Sequence, residues 1–479
     1  MSDPAPWLIL LPLGWASAAF LLGPARGAWL AAAGIALGLV LSTQVAAYAG
    51  RGQLHAAGGW PAPLGIELAV DGLAALMLLL THAVALPLAL YARPYFARHP
   101  EGQAWFWPLA GYLIAALNAL FLSADLFNLY VTLELLGLAA VGLVASAGDA
   151  QSLTAALRYL FVTLLGSSAY LVGVALLYGV YGHVALPLLA QQMTPPIPVA
   201  TQLALALMLA GLLLKTALFP FSFWLPPAHG GAPAPVSALL SALVIKATFY
   251  LILRLWMRLG DEFAPPALAQ MLGLLGGAAV LWGSVQALRQ VRLKMLVAYS
   301  TVAQIGYLFL LFPLAARASP AIALSAWQGV LMQAVAHGLA KAAMFTAAGA
   351  MAVSAGHDTI ERLGGASTRL PLTLFAFGLA GVTLMGLPPS AGFLAKWLLL
   401  DAAADGGRWL WAIVLLGGGL LAAAYVFKVL RHAFVPAEAG GTRFEPLSPM
   451  LEWPPLLLAA ASLALGVNGG FVLLLAGAP

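Results

Sequence analysis

Runs of apolar residues, each long enough to cross a lipid bilayer, follow one another along almost the whole chain. A membrane-spanning α-helix needs about 20 apolar residues at a rise of about 1.5 Å per residue. Such runs predict an all-α membrane protein with about fourteen transmembrane helices, forming a single polytopic membrane domain over residues 1–479. The predicted spans are 7–22, 27–48, 64–90, 105–122, 126–146, 154–178, 200–225, 234–256, 265–288, 293–313, 321–352, 370–402 (with a break), 408–431 and 453–475.

Composition excludes a soluble globular protein. Hydrophobic residues make up 63% of the 479 residues and charged residues 8%, whereas an ordinary soluble domain has roughly 25% charged residues. The net charge of +5 does not indicate nucleic-acid binding, because the 21 Lys and Arg residues occur without a basic run. Cysteine is absent, and no phosphate-binding loop or HExxH motif occurs. We therefore expect no cofactor, no metal site and no enzymatic activity in this chain.

Basic residues near the ends of the spans predict the orientation. With the N-terminus outside, twelve Lys and Arg residues fall in inside loops, whereas five, including Arg254, fall in outside loops. Short cytoplasmic loops carry an excess of basic residues. The sequence therefore predicts a multi-pass protein of a prokaryotic inner (cell) membrane with both termini outside the cytoplasm.

A few ionisable residues lie inside the predicted spans. A charge at the bilayer centre costs on the order of 3 kcal/mol, so such residues usually serve transport. Nearly all carboxylates lie at span ends or in loops, but Glu134 lies within FNLYVTLELLGLAAVGLV. Lys246, in SALVIKATFYLI, lies about ten residues into its span, too deep to reach the surface easily. These residues indicate a buried proton or cation pathway; for Glu134 the alternative is an ion pair that fastens two helices.

Prolines predict that two spans are broken. Lys215 precedes Pro220 in KTALFPFSFWLPP, and Lys396 follows Pro388 and Pro389 in GLPPSAGFLAK. Proline lacks a backbone donor and interrupts a helix, and broken helices in transporters expose backbone groups to an ion near mid-membrane. Two breaks with nearby lysines indicate internal repeats; the alternative is a plain kink with a lysine that reaches the surface.

The segment MQAVAHGLAKAAMF predicts a polar stripe on an apolar helix. Gln333, His337 and Lys341 occur at i, i+4 and i+8, which places them on one side of the helix. Histidine titrates near neutral pH and can pass a proton to a neighbouring group. The alternative for His337 is a histidine that hydrogen-bonds between helices.

Three further residues are auxiliary candidates, each with a second interpretation. Arg158 either pairs with Glu134 or is an arginine at a loop end. His229 either admits protons after the first break or caps a helix. Lys294 is either a basic residue on the cytoplasmic side or the first proton carrier in the second half of the chain.

Five segments resemble the proton-conducting subunits shared by Mrp sodium/proton antiporters and respiratory complex I, and they occur in that family's order between about residues 65 and 430. This resemblance implies fourteen spans with two inverted five-helix repeats, at about 105–256 and 265–431, and broken seventh and twelfth helices. The segments are LFNLYVTLELLGLAA, KTALFPFSFWLPPAHGGAPAPVSALLSALVIK, KMLVAYSTVAQIGY, AVAHGLAKAAMF and GLPPSAGFLAKW.

The resemblance also implies roles for individual residues. The lysine at position 396 resembles the Mrp D-type subunit, which also carries lysine at the matching position, whereas one complex I branch carries glutamate there. Our hypothesis for the pathway is that a proton enters near His229 or the lower part of the broken seventh span and moves between lysines, while the Glu134 carboxylate switches their proton affinity. The pathway residues are Glu134, Lys215, Lys246, His337, Lys341 and Lys396.

The predicted function is that of a proton-translocating subunit in a multi-subunit cation/proton antiporter. Its expected partners are other membrane subunits, lipid and protons, with sodium as an open question, and no nucleic acid. Three alternatives remain open at this point: a proton-pumping subunit of a redox-driven complex I-like or hydrogenase complex, a D-like subunit of a bicarbonate-uptake system, and a membrane scaffold that conducts nothing.

Overall fold

A computed structural model of the protein describes residues 3–100, 102–260, 265–437 and 441–477. Most of these residues are helical, and one short β-hairpin lies between the second and third helices. The elements are α1 Ala5–Leu22, α2 Pro24–Tyr48, β1 Gln53–Ala56, β2 Glu67–Val70, α3 Gly72–Arg98, α4 Gln103–Leu122, α5 Leu126–Ala145, α6 Ala150–Tyr181, α7 Leu186–Gln192, α8 Val199–Lys215, α9 Leu225–Gly231, α10 Ala234–Leu239, α11 Ile245–Leu255, α12 Pro266–Arg289, α13 Leu293–Leu308, α14 Leu311–Ala315, α15 Pro320–Ala355, α16 Ala366–Arg369, α17 Pro371–Met385, α18 Ala391–Asp405, α19 Trp409–Phe434, α20 Pro449–Val467 and α21 Gly470–Ala476.

Twelve helical segments in the described part of the chain are long and apolar enough to cross a membrane. Two shorter apolar helices, α8 and α17, lie where the seventh and twelfth spans are predicted. The prediction of an all-α membrane protein is confirmed. The division into two inverted repeats stays a prediction.

Both predicted breaks are present. Helix α8 ends at Lys215, and helical structure resumes at Phe221 directly after Pro220. Helix α17 ends at Met385, where Gly386 adopts φ +81°, a left-handed conformation that glycine tolerates best. Helix α18 then begins after Pro388 and Pro389 (its N-cap, Ser390, accepts a hydrogen bond from the Phe393 N–H at 3.1 Å). The prolines therefore end regular hydrogen bonding where the sequence predicts, because they supply no N–H.

Contacts between Cα atoms divide the chain into two compact units. The first unit contains the β-hairpin, in which Gln53 pairs with Val70 and Ala56 with Glu67. The second unit contains α15, in which every residue of 329–351 is buried. The first unit consists of Met1–Ala83, Gly102–Ala217 and Leu243–Pro265, and the second of Val84–Glu101, Leu218–Ala242 and Pro266–Pro479.

The structure corrects the placement of Arg254. The sequence predicts that this residue lies in an outside loop, but it lies in α11 with 7% of its surface exposed. Its guanidinium forms a bidentate pair with Asp71, and its Nε donates to the Tyr250 hydroxyl at 2.8 Å. Asp71 also accepts a hydrogen bond from the Ala74 N–H at 2.9 Å at the start of α3. Arg254 is buried because a carboxylate compensates its charge; the orientation of the chain stays a prediction.

Candidate functional site

Lys215 is the centre of a buried polar cluster in the first unit. It is the last residue of α8 and has 7% of its surface exposed. Its Nζ donates to the Ser167 hydroxyl at 2.5 Å and to the Thr163 carbonyl at 3.4 Å, both on α6. It also lies 3.9 Å from Oε1 of Glu134, near the middle of α5. The amine therefore has neutral acceptors and a carboxylate within reach.

Two glycines allow this arrangement. A Cβ on Gly166 would lie 2.7 Å from Cγ of Lys215, and a Cβ on Gly211 would collide with the Gly166 carbonyl oxygen. Helices α6 and α8 approach this closely only because neither residue has a side chain. The close approach brings the Lys215 amine to the hydroxyl of Ser167.

A pair of threonines joins the end of α8 to α11, the helix that carries Lys246. Thr216, which directly follows Lys215, donates through its hydroxyl to the Thr248 hydroxyl at 2.9 Å. Lys246 precedes Thr248 by two residues in α11 and is 1% exposed. A cavity of about 10 Å³ reaches from Leu133 to Thr248 past Lys215; this is close to the smallest space that holds one water molecule.

The second unit contains a comparable site around Lys341. This residue of α15 is fully buried, and its Nζ donates to the Ser300 hydroxyl and, at 2.9 Å, to the Val297 carbonyl, both on α13. His337 and Gln333 precede it on α15 and are 1% and 2% exposed. Gln333 Nε2 donates to Gln304 Oε1 on α13 at 2.9 Å.

Lys396 hydrogen-bonds to the backbone at the second break, where α17 ends. Its Nζ donates to the carbonyls of Leu384 at 2.8 Å and Met385 at 3.0 Å. Carbonyls in the last turn of a helix have no intrahelical donor, so the end of α17 provides two free acceptors for the amine. The same Nζ lies 4.7 Å from the centre of the Tyr307 ring, within the range of a cation–π interaction.

The auxiliary candidates lie in different surroundings. Arg158 is exposed on α6, and no ion pair joins it to Glu134 among the described residues; the carboxylate lies beside Lys215 instead. His229 is 1% exposed within α9, with its ring 5.9 Å from that of Phe345. Lys294 is half-buried and donates to the Ala232 carbonyl just after α9.

The neutral partners of the lysines and the Asp71–Arg254 pair were not predicted from the sequence. Ser167 and Ser300, which accept from lysine amines, and Gln304, which accepts from Gln333, are ordinary polar residues of apolar spans, and no local pattern marks them. The sequence does contain a pattern that could have identified Arg254 as a buried residue. Lys246, Tyr250 and Arg254 occur at i, i+4 and i+8, on one side of a helix. This is the same spacing that identifies the stripe on α15.

Comparisons with known proteins agree with this architecture. The family model described as NADH:quinone oxidoreductase/Mrp antiporter, TM, matches residues 123–422. The chain is 36% identical over 422 residues to NADH-quinone oxidoreductase subunit N of Desulforudis audaxviator, with 86% of this chain and 82% of that protein covered. It is 29% identical over 378 residues to the D-type subunit of the Na(+)/H(+) antiporter of Alkalihalophilus pseudofirmus, with 79% and 75% covered.

A solved structure has a similar fold. A chain in the structure of the Mrp complex from Dietzia sp. DQ12-45-1b superimposes with a TM-score of 0.89 at 26% identity. The match covers 100% of this chain and 97% of that one.

Proposed function

The chain belongs to the NADH:quinone oxidoreductase/Mrp antiporter family of membrane subunits, and we propose that it is the proton-translocating subunit of a multi-subunit cation/proton antiporter. Its partners are other membrane subunits, since similar chains occur in multi-subunit membrane complexes. The transported ions are protons, exchanged for a cation such as the sodium in the name of the antiporter relative. The pathway residues are Glu134, Lys215, Lys246, His337, Lys341 and Lys396.

The observation that carries the proposal is the environment of Lys215. A lysine that only stabilised the fold would be expected in a close ion pair, or with its amine at the surface. The amine of Lys215 is buried, donates to a hydroxyl and a carbonyl, and lies 3.9 Å from the nearest Glu134 oxygen. Both the charged and the neutral amine can be accommodated there, because Ser167 can donate to a neutral amine and accept from a charged one.

Glu134 acts as the switch in this mechanism. When its carboxylate lies beside Lys215, attraction favours the ammonium form and the lysine holds its proton. When the carboxylate moves away or is protonated, that attraction is lost and the proton leaves. Two unit charges about 4 Å apart interact by about 4 kcal/mol at an effective dielectric constant of about 20. A free energy of this size is sufficient to switch Lys215 between binding a proton and releasing it.

A second candidate function is a proton-pumping subunit of a redox-driven complex. It is favoured by the 36% identity to a NADH-quinone oxidoreductase subunit. Proteoliposomes that contain the complex purified through a tag on this chain distinguish the two functions. The antiporter acidifies or alkalinises the lumen when a sodium gradient is imposed, whereas the redox-driven pump responds only when an electron donor and a quinone are supplied.

We predict that Glu134→Gln lowers sodium-driven proton flux at least tenfold, because a loss of about 1.36 kcal/mol is already a factor of ten in an equilibrium constant and the lost attraction is larger. The amide keeps the shape of the side chain but removes the charge beside Lys215. Flux is measured with a pH-sensitive dye inside the vesicles. The matched control is Glu361→Gln, which changes an exposed carboxylate between α15 and α16. Equal flux in both variants would contradict the switch.

A further inference from the structure

We propose that the carboxyl-terminal ends of α12 and α19 form a binding site for an anionic phospholipid. Arg289 and Arg431 bind its phosphate, and the exposed side of α19 is the surface for an acyl chain. Both helices belong to the second unit. The inference does not rest on the proposed function, because the site contains no residue of the proton pathway.

Helices α12 and α19 pack side by side and run in the same direction. A Cβ on Gly277 of α12 would lie 3.5 Å from Cγ2 of Val414 on α19. Further along both helices, the Lys428 amine of α19 donates to the carbonyls of Leu288 at 2.8 Å and Gln290 at 2.7 Å. Residue numbers thus increase together along the contact, so both helices end on the same side of the pair.

Arg289 and Arg431 both lie at this end. Arg289 is the last residue of α12 and lies between the two residues whose carbonyls bind Lys428. Arg431 follows Lys428 by three residues on α19, and residues with this spacing are neighbours on the surface of a helix. Both arginines are exposed, whereas Lys428 is half-buried. Lys428 therefore joins the two helices, and the two guanidinium groups remain at the surface.

This end of the helix pair carries an excess of positive charge. Neither α12 nor α19 contains an Asp or a Glu. The turn Ile360–Arg362 and helix α16 also pack on α19, and they add two arginines but only one carboxylate, that of Glu361. Within the described ranges no ion pair uses Arg289 or Arg431. The uncompensated charge fits an anionic ligand.

An open groove of about 600 Å³ lies beside Arg431 on α19. Phe427, Leu430 and Phe434 line it together with the arginine. The two phenylalanines are 61% and 66% exposed. Binding sites for small molecules have volumes of about 300–1,000 Å³, so the groove is large enough for a lipid headgroup.

The groove continues into an exposed apolar stripe along α19. Ile413, Leu420, Phe427 and Phe434 recur every seven residues, which places them on one side of the helix, and all four are exposed. At about 1.5 Å per residue the stripe is about 32 Å long, close to the thickness of about 30 Å of the hydrocarbon core of a bilayer. A phosphate at Arg431 would therefore place an acyl chain along Phe427 and Leu420.

The combination of charge and stripe selects the ligand. A guanidinium binds phosphate through two parallel N–H···O bonds, and basic pockets between membrane helices bind anionic lipid headgroups. A zwitterionic lipid also has a phosphate, but the excess positive charge would repel its ammonium group. A free phosphate ion makes no contact with the stripe. An anionic phospholipid such as phosphatidylglycerol fits both parts of the site.

The test measures binding of dioleoyl-phosphatidylglycerol to the purified, delipidated complex by native mass spectrometry, with dioleoyl-phosphatidylethanolamine as the comparison lipid. We expect phosphatidylglycerol to bind more tightly. Replacing both arginines, Arg289→Gln with Arg431→Gln, should weaken its binding about 25-fold, because each basic residue near an anionic headgroup contributes a factor of about five. The matched control is Arg26→Gln, an exposed arginine near the start of α2 and the only Lys or Arg among residues 1–50. Binding to the control should be unchanged.

Three results would overturn this site. The first is equal binding of phosphatidylglycerol to the double variant and to the control, once Tm and subunit composition show that both assemble. The second is displacement of the lipid by inorganic phosphate, which would indicate a site for a free anion. The third uses p-benzoylphenylalanine in place of Phe427 in the otherwise unmodified complex: this photo-crosslinker should label lipid, and labelling of another subunit would identify the surface as a protein interface. None of these results changes the proposed function, because the readout is binding and not proton flux.

Discussion

Proton flux through the assembled complex is expected to fall about 100-fold when Lys215 is replaced by methionine, the lower range of the effect of removing an acid–base group. Methionine has a similar length and is apolar, so it fills the same space between α6 and α8. It cannot bind a proton, and it leaves Glu134 without its cationic neighbour. Flux is followed by the fluorescence of a pH-sensitive dye in proteoliposomes under an imposed sodium gradient.

Lys428→Met is the matched control for this substitution. Lys428 also donates to backbone carbonyls, those of Leu288 and Gln290 at 2.8 and 2.7 Å, but it does so beside the end of α12. It is not among the pathway residues, so its removal should leave most of the flux. If Lys215→Met conducts as well as Lys428→Met, Lys215 is not part of the pathway.

Asp71→Asn is expected to destabilise the protein by about 2 kcal/mol. The loss of one partner from a fully buried ion pair costs about 3–5 kcal/mol. The effect should be smaller here because the Asp71 side chain is 26% exposed, and solvent screens its charge. The measurement is the Tm of the purified complex in detergent. The matched control is Asp401→Asn, an exposed aspartate on α18, for which no change in Tm is expected.

The Asp71 effect should also depend on pH. Burial raises the pKa of the Asp71 carboxyl, but the hydrogen bonds and charge of Arg254 outweigh burial and hold the pKa below its ordinary value. A lowered pKa contributes stability above the unfolded-state pKa, and this contribution is lost as the pH falls through the folded-state pKa. The difference in Tm between the unmodified protein and Asp71→Asn should therefore shrink at acidic pH. A Tm for Asp71→Asn equal to that of the unmodified protein at neutral pH would contradict the role of the pair.

Local sequence patterns predicted the helices well because the bilayer leaves few choices. An apolar run of sufficient length in lipid must satisfy its own backbone hydrogen bonds, and a helix does so within one segment. The breaks at Pro220 and at Pro388 and Pro389 were also predictable, since proline acts on its own turn. The β-hairpin before α3 was not predicted, because strands of four residues within a long connection have no comparable periodic signal.

The site was predicted only in part. Ionisable residues such as Lys215 and Lys341 are conspicuous because charge is rare in an apolar span. Their hydrogen-bond partners Ser167 and Ser300 come from other helices, and a sequence does not state which helices pack together. The same limit explains Arg254, whose burial depends on a carboxylate 183 positions earlier in the chain.

The central claim is that Lys215 binds and releases a proton, and the most direct test is proton flux in Lys215→Arg. Arginine keeps the positive charge beside Glu134 but does not deprotonate in proteins. The Tm of the complex and its subunit composition first establish that the variant assembles. The proposed mechanism predicts that flux falls to the level of Lys215→Met. Flux close to that of the unmodified complex would contradict it, because a fixed positive charge would then be sufficient.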